Sequence, residues 1–194
     1  MLSTSRSRVR ALAVVGMAAV VTTVGAVTYS ASAAEVAPKA PAAVGPDARA
    51  VSIPLIPEAI KPPTGSRPIG AYVVTKGTQN YKCVGGVFVA PSTPEAQLVG
   101  TGGKLHHFGG PSWQSERDGS LVTATKIAES TRTGTIPELL LQVTSHTPLT
   151  GGLLGQATYI SRLYTSGGVL PTGDCTDGSV SEVPYKAVYV FWTN

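Results

Sequence analysis

The chain has 194 residues, and its fifteen Lys and Arg against eleven Asp and Glu give a net charge of +4. Arg6, Arg8 and Arg10 lie in the first 33 residues, where there is no acid. The remainder therefore holds twelve bases against eleven acids, and this balance excludes the basic surface expected of a nucleic-acid binder. With 22 Gly, 15 Pro and 13% charged residues, the composition suits one turn-rich β domain better than a helical protein.

In chain order, the first element is an address. Three arginines precede an apolar stretch, Ala11 to Val27, broken only by Thr22 and Thr23, and the stretch leads into Ala31-Ser32-Ala33. This order is that of a secretory signal peptide over residues 1–33, cleaved after Ala33 or Ala34. Seventeen residues rich in Ala, Val and Gly are marginal for a hydrocarbon core of about 30 Å, and no basic cluster follows, so a retained membrane anchor is not expected. The expected location is extracellular. Cys83 and Cys175 both lie in the exported part, where an oxidising destination permits them to pair.

Residues 34–50 read as a Pro/Ala-rich linker, because they cannot bury enough apolar surface to fold alone. The secreted domain is expected over residues 51–194. The run Val51, Ile53, Leu55 and Ile56, broken by Pro54 and Pro57, predicts an edge strand or an extended arm packed on the domain. All eleven aromatic residues of the exported part follow residue 66, which places the core in residues 67–194. Short runs of Val, Thr, Tyr and Leu bounded by Gly or Pro predict strands at Ile69–Lys76, Gln79–Val89, Lys104–Phe108, Leu121–Ala128, Glu138–Thr144, Gln156–Tyr164 and Tyr185–Trp192. Ser92–Leu98 predicts a single helical turn, with Pro94 and Glu95 suited to its start. In the last strand Tyr185, Ala187, Tyr189 and Phe191 share one face and Lys186, Val188, Val190 and Trp192 the other. Both faces are largely apolar, so this strand is expected to be central or covered on both sides. The fold class that follows is all-β: a single-domain antiparallel sandwich or barrel.

Chemistry-bearing residues are few. His106 and His107 are adjacent on a strand, point to opposite faces, and cannot easily share a metal. One of them with Asp118 and Ser120 could form a base, an orienting group and a nucleophile, but no G-x-S-x-G elbow is present. Glu116 and Asp118 read more simply as turn residues than as paired glycosidase carboxylates. Asp174-Cys175-Thr176-Asp177-Gly178 is too sparse for calcium. No metal or cofactor is expected. Arg162 stands mid-strand between Ile160 and Tyr164. It either lines a groove with Trp113, Tyr164 and Trp192, where rings stack on a sugar and the guanidinium fixes a polar group, or covers apolar surface with its stem while the tryptophans fill the core.

Several segments occur together in a recognisable order: Gly77-Thr78-Gln79-Asn80-Tyr81-Lys82-Cys83, Pro94-Glu95-Ala96-Gln97-Leu98, His106 to Trp113, Asp118 to Val122, Tyr159 to Gly168, and Pro184 to Phe191. From about Pro54 to its end, the chain resembles the secreted bacterial and fungal family catalogued as domain of unknown function 3455. The resemblance implies a compact extracellular β domain with the two cysteines paired, and it implies no activity. A malate dehydrogenase label borne by some fungal members has no support in the residues, since no G-x-G-x-x-G opens a helix. The functional expectation is a non-catalytic module binding a glycan or a cell-surface protein. The alternative is a small secreted hydrolase acting on cell-wall or environmental polymers, using a carboxylate such as Asp118, or His106 or His107. A mass spectrum of the exported protein, taken with and without reduction, checks the first steps. It should begin at residue 34 or 35 and gain two hydrogens on reduction.

Overall fold

A computed structural model describes residues 55–148 and 151–194. The expected signal peptide, the expected linker, and Val51 and Ile53 of the expected arm lie outside the described residues. Eight strands run in order: β1 (Arg67–Val84), β2 (Val87–Gly100), β3 (Gly103–Phe108), β4 (Ser112–Ser115), β5 (Leu121–Ser130), β6 (Glu138–Thr147), β7 (Tyr159–Gly167) and β8 (Val180–Thr193). Each pairs antiparallel with the next, and β8 pairs back onto β1, so the single sheet closes into a barrel. Closure leaves no free sheet edge, which settles the choice between sandwich and barrel.

Alternation decides what lies inside. Tyr72, Val74, Leu98, Leu105, Trp113, Val122, Ile160 and Phe191 are among the buried residues of the interior cluster, and outward neighbours such as Lys104, Thr125, Gln142 and Lys186 are exposed. Apolar inside and polar outside is the reverse of a membrane-spanning barrel. Among the described residues, no helix is long and apolar enough to cross a membrane. β8 is covered on both faces, as its sequence requires. Tyr185, Ala187, Tyr189 and Phe191 face the interior, while Val190 and Trp192 join an outer cluster with Leu140, Leu163 and Ile60. Ile60 belongs to a 3-10 turn, Glu58–Ile60, carried by the chain that leads into β1. Ile56 also packs on the outer cluster, so this stretch is the expected arm.

Three expectations are corrected. The strand predicted over Gln79–Val89 is broken by the Gly85-Gly86 turn, with β1 ending at Val84 and β2 starting at Val87. Gly77 does not end a strand. It sits within β1 beside a register shift between Val74 and Lys76, where a Cβ would lie 2.8–2.9 Å from Val74, Ala96 and Tyr185. The bulge switches parity, so Gln79, Tyr81 and Cys83 face inward after it. Ser92–Leu98 is strand and not a helical turn: Gln79 pairs with Pro94, and β3 begins to pair only at Ala96, so the missing proline N–H disturbs no ladder. The bond between Ala90 and Pro91 is cis. β4 was not expected from sequence, because its four residues are too short to show alternation.

Beyond the ring, β1, β2 and β8 continue as a ribbon over one end of the barrel, with Asn80 paired to both Thr93 and Glu182. The Cys83–Cys175 disulfide ties this ribbon to the β7–β8 connection, across a sequence separation of 92. A loop of that length makes the bridge worth about 3–5 kcal/mol in the chain-entropy model. Replacing both cysteines with Ser should lower the unfolding free energy by about that amount in guanidinium titrations. A loss below about 1 kcal/mol would mean that the ribbon is held by strand pairing alone.

Candidate functional site

The barrel is filled unevenly. Connections in an up-and-down barrel alternate between its two ends, so the β1–β2, β3–β4, β5–β6 and β7–β8 connections share one end. At the other end Leu154, in the β6–β7 connection, is buried in the core, and Ser120 Oγ accepts the Leu154 N–H at 3.3 Å. At the first end the interior opens into a cavity of about 640 Å³. Its rim is the ribbon (Gln79, Tyr81 and residues 90–94), the turn Gly109–Pro111, and Lys126, Glu129 and Pro137. Its inner wall includes His107, Trp113, Leu139, Leu141, Arg162 and Tyr189.

The wall is stacked and rigid. The rings of His107 and Trp113 lie 4.2 Å apart and 5° from parallel, and Tyr189 meets both edge-on at 5.1 and 5.6 Å. Such contacts add about 0.5–1.5 kcal/mol each beyond burial. His107 Nδ1 lies 2.8 Å from the Ser112 carbonyl, which can only accept, so Nδ1 carries the proton and Nε2 is left an acceptor. Burial depresses the His107 pKa to about 3, so the ring is neutral in the physiological range. Burial pushes the hydroxyls of Tyr185 and Tyr189 upward, and both stay protonated.

Arg162 enters this wall from β7. Its Nε and Nη2 donate to the Pro137 carbonyl at 3.1 and 2.9 Å, and among the described residues no carboxylate pairs with it. The other charges of the rim cancel, since Lys126 and Glu129 pair at 2.6 Å. Among the described residues, two buried donors that belong to lining residues also lack a partner. One is Trp113 Nε1. The other is Gln79 Nε2, which lies near the Tyr185 hydroxyl but makes no well-formed hydrogen bond. Gln79 is oriented from its other end, where Oε1 accepts the Ser92 hydroxyl at 2.5 Å.

The residues singled out from sequence are thus divided. His107, Trp113 and Arg162 share the cavity wall. His106 faces outward and pairs with Glu95 at 2.6 Å. Tyr164 leaves the face of Arg162 because β7 shifts register after Leu163, and it is exposed with a positive φ. Trp192 lies in the outer cluster, donating to Ser161 Oγ at 2.9 Å. Asp118 sits in the β4–β5 loop, at the end away from the cavity, where it organises a latch. The desolvation cost on its carboxyl is outweighed by the sum of hydrogen bonds from the Ser120 hydroxyl, Ser120 N–H and Leu153 N–H, which hold its pKa at about 2. Among the described residues, no group of three His, Cys, Asp or Glu could hold a metal. Gln79 and Tyr189 are part of the wall that sequence reading missed. Tyr189 reads as core in an alternating strand, and Gln79 is legible only once the bulge at Gly77 is known.

These features define a closed antiparallel β-barrel with one open mouth, lined by apolar and aromatic groups and a few polar ones. A sequence model described as Protein of unknown function (DUF3455) matches residues 89–193, and the chain belongs to that family. The match covers His107, Trp113, Arg162 and Tyr189 but begins after Gln79 and Cys83. No curated protein and no solved structure matches the chain.

The depressed His107 value has a thermodynamic consequence. The unfolded chain binds this proton near the ordinary 6.5 and the folded chain only near 3. The stability contributed by neutral His107 is complete above about pH 6.5 and is lost as pH falls towards 3. Asp118 contributes its own loss only below its ordinary value of 3.8. Between pH 7 and 4.5 the unfolding free energy should therefore fall by about 2 kcal/mol, and His107→Gln should flatten that slope. A wild-type slope near zero in this window would contradict the burial of a neutral histidine.

Proposed function

We propose that the protein is a secreted, non-catalytic binding module whose ligand enters the open mouth of the barrel. The observation that carries this reading is the cavity itself. Its volume falls within the range of small-molecule sites, about 300–1,000 Å³, and it is lined by apolar and aromatic groups with a few convergent polar ones. Eight-stranded barrels are wide enough to hold one small ligand. A compact ligand is favoured over a long glycan laid across exposed rings, because Trp113 lies inside the barrel and Trp192 lies in the outer cluster. The hydrolase reading has less support: Asp118 and His107 lie towards opposite ends of the barrel, and the Asp118 carboxylate is occupied by the loop it orders. Extracellular location is supported by the leader-like N-terminus and by the disulfide.

Titration with the neutral fluorophore N-phenyl-1-naphthylamine tests the site. Saturable enhancement is expected in the wild type. It should weaken at least tenfold in Leu139→Trp, whose larger ring grows into the cavity, while the thermal unfolding midpoint changes little. Absence of enhancement in the wild type, or equal binding by the variant, would remove the cavity as a ligand site.

A further inference from the structure

Resting on the mouth as a binding site, we infer that its ligand is a compact organic anion with a flat conjugated body, an aromatic carboxylate or a close chemical relative, whose acid group meets Arg162. Charge gives the first reason. Of the charged residues lining the cavity, Lys126 and Glu129 neutralise each other, and the Arg162 guanidinium has only neutral partners among the described residues, the Pro137 carbonyl and the neighbouring Tyr189 hydroxyl. A half-buried cation without a counter-ion draws an anion into the same low-dielectric space, and the planar guanidinium matches a carboxylate in shape.

The polarity of the unpaired groups points the same way. Among the described residues, two residues of the lining carry a buried polar atom without a hydrogen-bond partner, Trp113 Nε1 and Gln79 Nε2, and both atoms are donors. Among the described residues the third buried unpartnered atom, Asn80 Oδ1, is an acceptor, and Asn80 does not line the cavity. A site with surplus donors and one net positive charge complements a molecule rich in acceptors. Because a buried donor without a partner is costly, such groups mark where an incoming acceptor gains most. The body of the ligand is set by the walls. Trp113 and Tyr189 offer ring faces and edges, and Leu139, Leu141 and Ile136 make the remainder apolar.

Trans-cinnamate and its neutral counterpart trans-cinnamyl alcohol isolate the charge at nearly constant shape. Calorimetric titration of the wild-type protein should show cinnamate bound about 10- to 100-fold more tightly than the alcohol, the range of a charge-assisted hydrogen bond. Arg162→Gln should abolish this preference by weakening cinnamate while the alcohol changes less than about threefold, and Arg162→Lys should retain part of it. Should Arg162→Gln fail to fold, the wild-type ratio decides. An alcohol bound as tightly as the acid overturns the anion assignment and leaves the cavity reading intact. So does the absence of cinnamate binding up to about 10 mM in a protein that binds the neutral naphthylamine. If neither the cinnamyl pair nor the naphthylamine binds, both readings fall together.

Discussion

The pairing of β8 with β1 turns an eight-stranded meander into a ring, and the size of that ring constrains everything inside it. An eight-stranded barrel is just wide enough for inward side chains to fill. Here the filling is done by large aromatics: Trp113, Tyr72, Tyr185, Tyr189 and Phe191 are among the largest fully buried side chains. Edge-to-face contacts such as Tyr72 on Phe191, at 5.5 Å and 82°, pack them along the interior. The aromatic stack ends before the mouth does, and the remaining height is left as a cavity. Closure and cavity are thus two consequences of one set of register pairs.

The same ring accounts for the ribbon. β1, β2 and β8 are longer than the barrel needs, so their surplus forms a flap over the mouth. The disulfide fastens that flap to the β7–β8 connection, and Tyr81 Oη donates to the Gly168 carbonyl at 2.6 Å from its inner face. Gln79 and Ser92 are held in the mouth by this arrangement. At the far end the Asp118, Ser120 and Leu153 network fixes the connection that carries Leu154 into the core. One end is built to be shut. The other carries the polar groups.

Much of the fold was legible because it depended on local alternation. The two apolar faces of β8 require two clusters, and the interior and outer clusters are those. His106 and His107 on opposite faces follow from the same rule. What was not legible depended on register. The bulge beside Gly77 reverses the face of Gln79, and the shift after Leu163 separates Tyr164 from Arg162. Pro94 is tolerated in β2 because of where β3 starts to pair, which no local pattern reveals. For the site, the charge of Arg162 on an apolar strand was visible, and so were His107 and Trp113. Which barrel end stays open, and which charges cancel there, depended on pairing between distant segments. A local reading of chemistry picks out three residues of the wall and not the cavity they line.

The central claim is that the mouth is a binding site with Trp113 in its wall. The chain has two tryptophans, so a proton–nitrogen correlation spectrum of the labelled protein should contain two indole signals. Among the described residues Trp113 Nε1 has no partner, whereas Trp192 Nε1 is bonded to Ser161 in the outer cluster. On titration with cinnamate, the Trp113 signal should move progressively to saturation while that of Trp192 stays in place. Signals that both remain fixed, or a shift confined to Trp192, would contradict the account.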